Sequence, residues 1–295
     1  MKRTEVLPQS NTILLSGFLL SRQVMDCRPT TLRDYRSRLG QFERFMTERH
    51  PTAGLVGATR QHVEEYIVLL STMGRASWTL RTNHRALRAF YRWMIEERFI
   101  EESPLRNIKP PKTPKVAKAF ITVRERDKLL SVCPVTRQTG ARSAAMLWLL
   151  WSTGMRLAEL VGLQRVDLDY DRGRIRVLGK GRKERLVPFS REAKRAVWRY
   201  MTYRRDDLPA VWLTEEGTPI GIEGVKSTLV RLYVRADVHV KDKAHVFRRS
   251  WAARNLRAGI PIKDVQIIGG WESVTTLEGY VRAMTSEDAL SADWQ

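Results

Sequence analysis

The chain has 295 residues, 43% of them hydrophobic, which is enough for two domains that each bury a core. Lysine and arginine number 52 against 32 aspartate and glutamate, a formal charge of +20 that suits a polyanion, either nucleic acid or an anionic membrane surface. The excess divides about evenly at residue 118, so it is not a detachable basic tail.

The first apolar stretch, residues 13–20, is interrupted by Ser16 and Gly17 and falls short of the roughly 18 residues a membrane span needs. It also lacks the cleavage pattern of a secretory signal, so no membrane partner and a cytoplasmic location are expected. Cys27 and Cys133 lie too far apart to form a disulfide framework. The five histidines sit at no ligand spacing with one another or with cysteine, so no metal and no cofactor is expected.

The first part reads as helical. Thr30 and Thr31 are candidate caps for a helix over residues 32–49; a second helix follows Thr59 through residue 70, and a third runs from about Ser77 to Arg98. On the third, Arg81, Arg85, Arg88 and Arg92 recur at steps of four, three and four, which gathers them on one stripe. Leu80, Leu87, Phe90, Tyr91 and Met94 occupy a different face. A charged stripe is usually just a solvated surface. This one lacks acidic partners until Glu96 and Glu97, and in a chain of this charge it points to phosphate contact. Only about 25–30 residues precede this helical part, too few for an additional DNA-binding domain.

Residues 107–119 (NIKPPKTPKVAKA) have no helical period. Their prolines fix φ and remove donors, so they read as an extended linker between residues 1–106 and residues 120–295.

The second part opens on Thr122 and Glu125, spaced as a capping box. An apolar helix over residues 144–151 follows, then a turn at Gly154 and another helical period through residues 160–163. The period then drops to two over residues 174–178 and 185–189, with Gly179-Lys-Gly-Arg-Lys between them, which is a β-hairpin with a basic turn. From Arg191 the pattern is helical to about Tyr280 and beyond. The class is mainly α with one small antiparallel sheet.

Three segments carry arginine, lysine and histidine that a fold alone does not require. Arg156 follows Gly154 into the first turn of a helix, where backbone donors favour a phosphate; its alternative is a structural pair with Glu159. Lys180 lies between two glycines, on a thin arm suited to a DNA groove, or equally in an ordinary exposed turn. His245 and Arg248, three apart, present a proton carrier and a fixed cation on one helix face.

Taken in order, Thr153-Gly-Met-Arg-Leu-Ala-Glu-Leu, Gly179-Lys-Gly-Arg-Lys-Glu-Arg-Leu-Val-Pro, His245-Val-Phe-Arg and Gly270-Trp-Glu-Ser-Val-Thr-Thr-Leu-Glu-Gly-Tyr resemble the tyrosine recombinase, or phage integrase, family. The match covers residues 120–285, and residues 1–106 resemble that family's helical core-DNA-binding domain in length and pattern. The resemblance implies a site-specific recombinase that cuts and rejoins DNA without metal or ATP. Tyr280 would attack the phosphodiester and leave a 3′-phosphotyrosyl enzyme. Arg156 and Arg248 would clamp the scissile phosphate, Lys180 would protonate the leaving 5′-oxygen, with Lys183 an alternative, and His245 would assist proton transfer. Trp271 stands where many members have histidine, and an indole can only donate; Arg249 replaces the histidine that commonly follows the second arginine. The DNA contacts expected are Arg81, Arg85, Arg88, Arg92, Arg182 and Lys183. The partners implied are double-stranded DNA with a specific core site and three further copies in a DNA-assembled tetramer, in a bacterial, archaeal or phage context. Leu290 and Trp294, in the tail, would dock on a neighbouring subunit or cover the chain's own core. A catalytically silent DNA-binding protein and a type IB topoisomerase are the alternative readings.

Overall fold

The structure, a computed structural model, describes residues 10–113, 119–179 and 184–280. The chain divides into two compact units, Met1–Val116 and Ala117–Gln295.

The described part of the first unit holds four helices: α1 (Asn11–Val24), α2 (Pro29–Arg49), α3 (Arg60–Thr72) and α4 (Ser77–Glu96). The stretch that fails as a membrane span forms most of α1, and its Leu14 and Phe18, four apart, are fully buried. Phe18 meets Phe90 of α4 edge-on at 5.5 Å, and Tyr91 donates to the Leu55 carbonyl at 3.1 Å. Each such ring contributes on the order of 1.5–3 kcal/mol by burial. Leu80, Leu87, Phe90, Tyr91 and Met94 all point into this core. Thr30 and Thr31 do not cap α2: they lie inside its first turn, because Pro29 pre-sets φ one position earlier and Arg28 takes the cap without a side-chain bond. Thr59 does cap α3, accepting from the His62 amide. The third helix stops at Glu96 rather than Arg98. Arg98 adopts φ 63° and the Phe99 amide reaches back to the Met94 carbonyl at 2.8 Å, closing the last turn.

In the second unit Thr122 and Glu125 form the expected capping box at the start of α5 (Val123–Ser131). The central helix, α6 (Gln138–Thr153), has Leu147, Leu149 and Leu150 fully buried and ends on Gly154 in the left-handed region (φ 59°). After it come α7 (Leu157–Val161), a 3₁₀ turn (Arg165–Asp167) and three strands, β1 (Leu168–Asp169), β2 (Arg174–Leu178) and β3 (Glu184–Pro188). The sheet is antiparallel in the order β1-β2-β3, with Val177 opposite Arg185 and Leu178 opposite Glu184. Ile175, Val177 and Val187 face the core from alternate positions. Then follow α8 (Arg191–Thr202), α9 (Ile222–Arg235), α10 (His245–Arg257) and α11 (Ile262–Gly269), and a further helix begins at residue 275. The helical run expected from Arg191 onward is broken over residues 203–221. There the buried Arg204 guanidinium binds the carbonyls of Ala210 and Val211 (2.9 and 2.6 Å) and the Asp206 carboxylate, satisfying backbone that forms no helix. No described helix is long and apolar enough to cross a membrane.

Candidate active site

Arg156 is the residue before α7, placed there by the sharp turn at Gly154, where a β-carbon would stand 2.6 Å from the Trp251 ring. The pair with Glu159 exists. The Arg156 amide and one guanidinium nitrogen bind the two Glu159 oxygens at 2.7 and 2.9 Å, and a second nitrogen binds the Gly270 carbonyl at 2.7 Å. This pair does not use up the cation, since 40% of the Arg156 side chain remains exposed.

Glu159 is buried and also receives a bidentate bond from Arg185 of β3, at 3.0 and 2.7 Å, while Arg185 Nε binds the Ile268 carbonyl at 2.8 Å. Burial raises the Glu159 pKa, but the bonds from Arg185 and Arg156 outweigh that and hold the carboxyl below its ordinary range. One carboxylate therefore ties the hairpin, α7 and the end of α11 together. Arg185 is a site residue that the sequence reading did not single out.

Arg248, on α10, is 1% exposed. One nitrogen donates to the Gly154 carbonyl at 2.9 Å, and Nη2 has no hydrogen-bond partner among the described residues. Its guanidinium lies 3.7 Å from the centroid of the Trp271 ring. Burial, reinforced by the like charge of Arg156, lowers its pKa to about 9.

Trp271 stacks on Trp251 at 6.1 Å and meets Tyr280 edge-on at 6.3 Å, with a side-chain hydrogen bond to the tyrosine. Its ring lies on Gly269, where a β-carbon would come within 1.9 Å of Cζ3. Gly270, at φ 68°, turns the chain so that its carbonyl faces Arg156. Tyr280 is 2% exposed; burial raises its phenol pKa, and the Arg248 and Arg249 cations oppose that.

His245 opens α10. Its imidazole is held below the ordinary histidine range, first by the protein around it and then by Arg249, Arg248 and Arg156, with Asp242 pulling the other way. Its outer edge stays open to solvent.

Arg156, His245 and Arg248 share the wall of a cavity of about 490 Å³, with Trp271 and Tyr280 behind Arg248. Lys226, Lys241 and Lys243 also line it, three cations that sequence reasoning missed although Lys241 and Lys243 stand four and two residues before His245. Lys180, Arg182 and Lys183 lie outside the described residues, as do Leu290 and Trp294. Arg81, Arg85, Arg88 and Arg92 belong to the other unit, exposed along α4. Arg92 pairs with Glu96 at 2.9 Å; the other three form no ion pair among the described residues. No group of three or more acidic, histidine or cysteine side chains suited to a metal occurs among the described residues.

Residues 119–287 match the family described as phage integrase, and residues 14–101 match the phage integrase N-terminal SAM-like domain. The tyrosine recombinase XerC of Myxococcus xanthus is 30% identical over 263 residues, covering 86% of this chain and 87% of that protein. XerD of Halalkalibacterium halodurans is 28% identical over 256 residues, covering 85% and 86%. Among solved structures, a Tn1549 transposon integrase in complex with transposon right end DNA shares the fold at a TM-score of 0.77 and 18% identity, covering 95% of this chain and 100% of that one. The XerH site-specific recombinase bound to a palindromic substrate does so at 0.76 and 18%, covering 96% and 84%. These relatives favour neither a silent DNA-binding protein nor a type IB topoisomerase. The chain belongs to the phage integrase family and is a tyrosine site-specific recombinase of Xer type.

Proposed function

We propose that this recombinase cuts and rejoins double-stranded DNA at a specific core site, with Tyr280 as nucleophile and Arg156 and Arg248 as the phosphate clamp. One observation carries the reading. A fully buried guanidinium with an unused donor lies on the indole that contacts a buried tyrosine. A buried cation with an open donor lacks an anion, and a phosphodiester supplies both charge and acceptor oxygens.

The Tyr280 oxygen bonds to phosphorus while the bond from phosphorus to the 5′-oxygen breaks. The phenol proton leaves towards His245, held neutral by its surroundings. The 5′-oxygen takes a proton from Lys180, with Lys183 the alternative donor. The product is a 3′-phosphotyrosyl bond and a free 5′-hydroxyl, and reversal with a new 5′-hydroxyl rejoins the strand. Charge gathering on the non-bridging oxygens is met by Arg156 and Arg248. A raised phenol pKa means Tyr280 rests protonated and needs a proton acceptor. The arginines of α4, with Arg182 and Lys183, hold backbone phosphates, and exchange between two duplexes takes place in a tetramer.

A nicked suicide duplex carrying the core site tests this. The expected result is a covalent protein–DNA adduct that is absent in Tyr280→Phe. An adduct that survives that substitution removes Tyr280 from the role.

A further inference from the structure

The arginine stripe of α4 has a fifth member that is not basic. Trp78 precedes Arg81 by three residues, so positions 78, 81, 85, 88 and 92 advance by alternating steps of three and four. Fourteen residues at 100° each fall about 40° short of four full turns, so all five side chains share one strip about 21 Å long. Burial agrees with that geometry. Leu80, Ala86, Leu87, Phe90 and Tyr91 face the core, while the five stripe residues are exposed.

Trp78 is out of place on such a strip as an ordinary surface residue. Its side chain is the largest the code provides and is 65% exposed. The indole makes no ring contact and no side-chain hydrogen bond among the described residues, and its carbonyl is occupied by Thr82. Arg81, exposed one turn on, places a cation next to the indole on the same strip. Arg81, Arg85 and Arg88 are without ion pairs among the described residues and give the strip a net positive charge. A membrane surface or an acidic protein would also answer that charge, but only a polyanion with regularly spaced charges matches cations repeated along the strip.

We infer that Trp78 and the α4 arginines form one face for duplex DNA. The guanidiniums bind successive phosphates, and the indole covers deoxyribose rings at the groove edge. This rests on the reading of the stripe as a phosphate rail and deepens it. Guanidiniums hold the charged oxygens; the sugars between them offer apolar carbon that a flat indole covers and an arginine does not. The contact is sequence-independent, because every nucleotide carries the same sugar. It releases no counterion, because the indole is neutral.

That difference supplies the test. Wild type, Trp78→Ala, Trp78→Phe and Arg85→Ala, all as full chains, are titrated with a fluorescent mixed-sequence duplex over a series of salt concentrations. Circular dichroism melts confirm the fold, which an exposed position leaves intact. Trp78→Ala is expected to bind about three- to tenfold more weakly at every salt concentration with the slope of log K against log salt unchanged, and Trp78→Phe to recover most of the loss. Arg85→Ala is expected to weaken binding and reduce the slope by about one. If Trp78→Ala binds as wild type does while Arg85→Ala changes the slope, the rail stands and the indole contact is overturned; its exposure then serves another partner. If Trp78→Ala itself changes the slope, the neutral contact is overturned. If neither substitution alters affinity or slope, the rail fails and the indole contact with it.

Discussion

At the residue scale the decisive side chain is Arg248. Its burial is unfavourable to a cation, and the nearby Arg156 charge adds to the cost, which together bring its pKa down to about 9. An anion held between the two arginines would relieve both effects, and in the proposed mechanism that anion is the charge developing on the phosphorane. Arg248→Lys keeps a positive charge but loses the planar fork that now reaches Gly154 and stacks on Trp271. Single-turnover adduct formation in this variant is expected to slow by about 10²–10³-fold. A rate within a few-fold of wild type would mean the fork is not used. With His245 as the proposed proton acceptor, it sets the pH dependence. Its pKa lies below the free value of about 6.5, so the folded chain keeps the imidazole neutral to a lower pH than an exposed histidine would. The acid limb of the cleavage rate therefore lies below pH 6.5, with activity lost only as pH falls through the lowered value. Asp242 opposes this shift, so Asp242→Asn is expected to move the limb lower still. A limb at or above 6.5, or one that ignores Asp242, rules out His245 as the titrating group.

At the element scale the site depends on how β3, α7 and α11 are joined. Glu159 is the joint, and Arg185 reaches it from the strand while also holding the Ile268 carbonyl. Arg185→Ala leaves a buried carboxylate with one partner fewer and should cost on the order of 3–5 kcal/mol in denaturant unfolding. Arg185→Lys separates positioning from folding: the charge stays, the two parallel bonds do not, and Trp271 is no longer fixed from the α11 side. Adduct formation should fall about tenfold or more with DNA affinity unchanged; equal losses in both would make Arg185 merely structural. Gly269→Ala tests the same region, since its β-carbon would displace the Trp271 ring from Arg248, with overpacking of about 1–3 kcal/mol. Much of this was legible beforehand. The order of motifs placed Arg156, His245, Arg248, Trp271 and Tyr280, and strand alternation held the clue to Arg185, which shares a face with the buried Val187. An arginine on the inward phase of a strand needs a buried acid, and Glu159 was already in view. What the sequence did not disclose came from tertiary packing. The apolar run at residues 13–20, too short for a membrane span, is long enough for helix α1, where Leu14 and Phe18 need only one buried face, and Gly17 is small because the Trp93 ring lies 3.2 Å from where its β-carbon would be. The interruption at residues 203–221 has no periodic signature, because Arg204 satisfies that backbone with a side chain.

At the scale of the whole molecule, each unit has its own core. In the first, Phe18, Phe42, Tyr66, Phe90 and Tyr91 pack together; in the second, α6 is enclosed by apolar residues of α8 and α10. The boundary between the units falls in the stretch read from sequence as a linker, residues 107–119, where Lys109 and Lys112 are exposed on backbone that is neither helix nor strand. Proteases cut where the chain can be drawn into an extended conformation without unfolding a core, and prolines with lysines provide such a place with tryptic sites. Brief trypsin digestion is therefore expected to yield two protected fragments that separate between Lys112 and Lys118, Lys109 being shielded by the Pro110 that follows it, ahead of cuts at the many arginines on the helices. The exposed arginines of α4 make this a demanding comparison, because they offer trypsin accessible cations yet lie in a helix whose opposite face is fully packed. Early cleavage at Arg85 or Arg88 would mean that α4 opens locally, and would weaken the case that it offers DNA a rigid face. Early cleavage confined to the linker would show that each unit holds together by its own core. The rail and the tyrosine site would then be two rigid surfaces on one chain, both drawn to the same duplex by the shared positive charge.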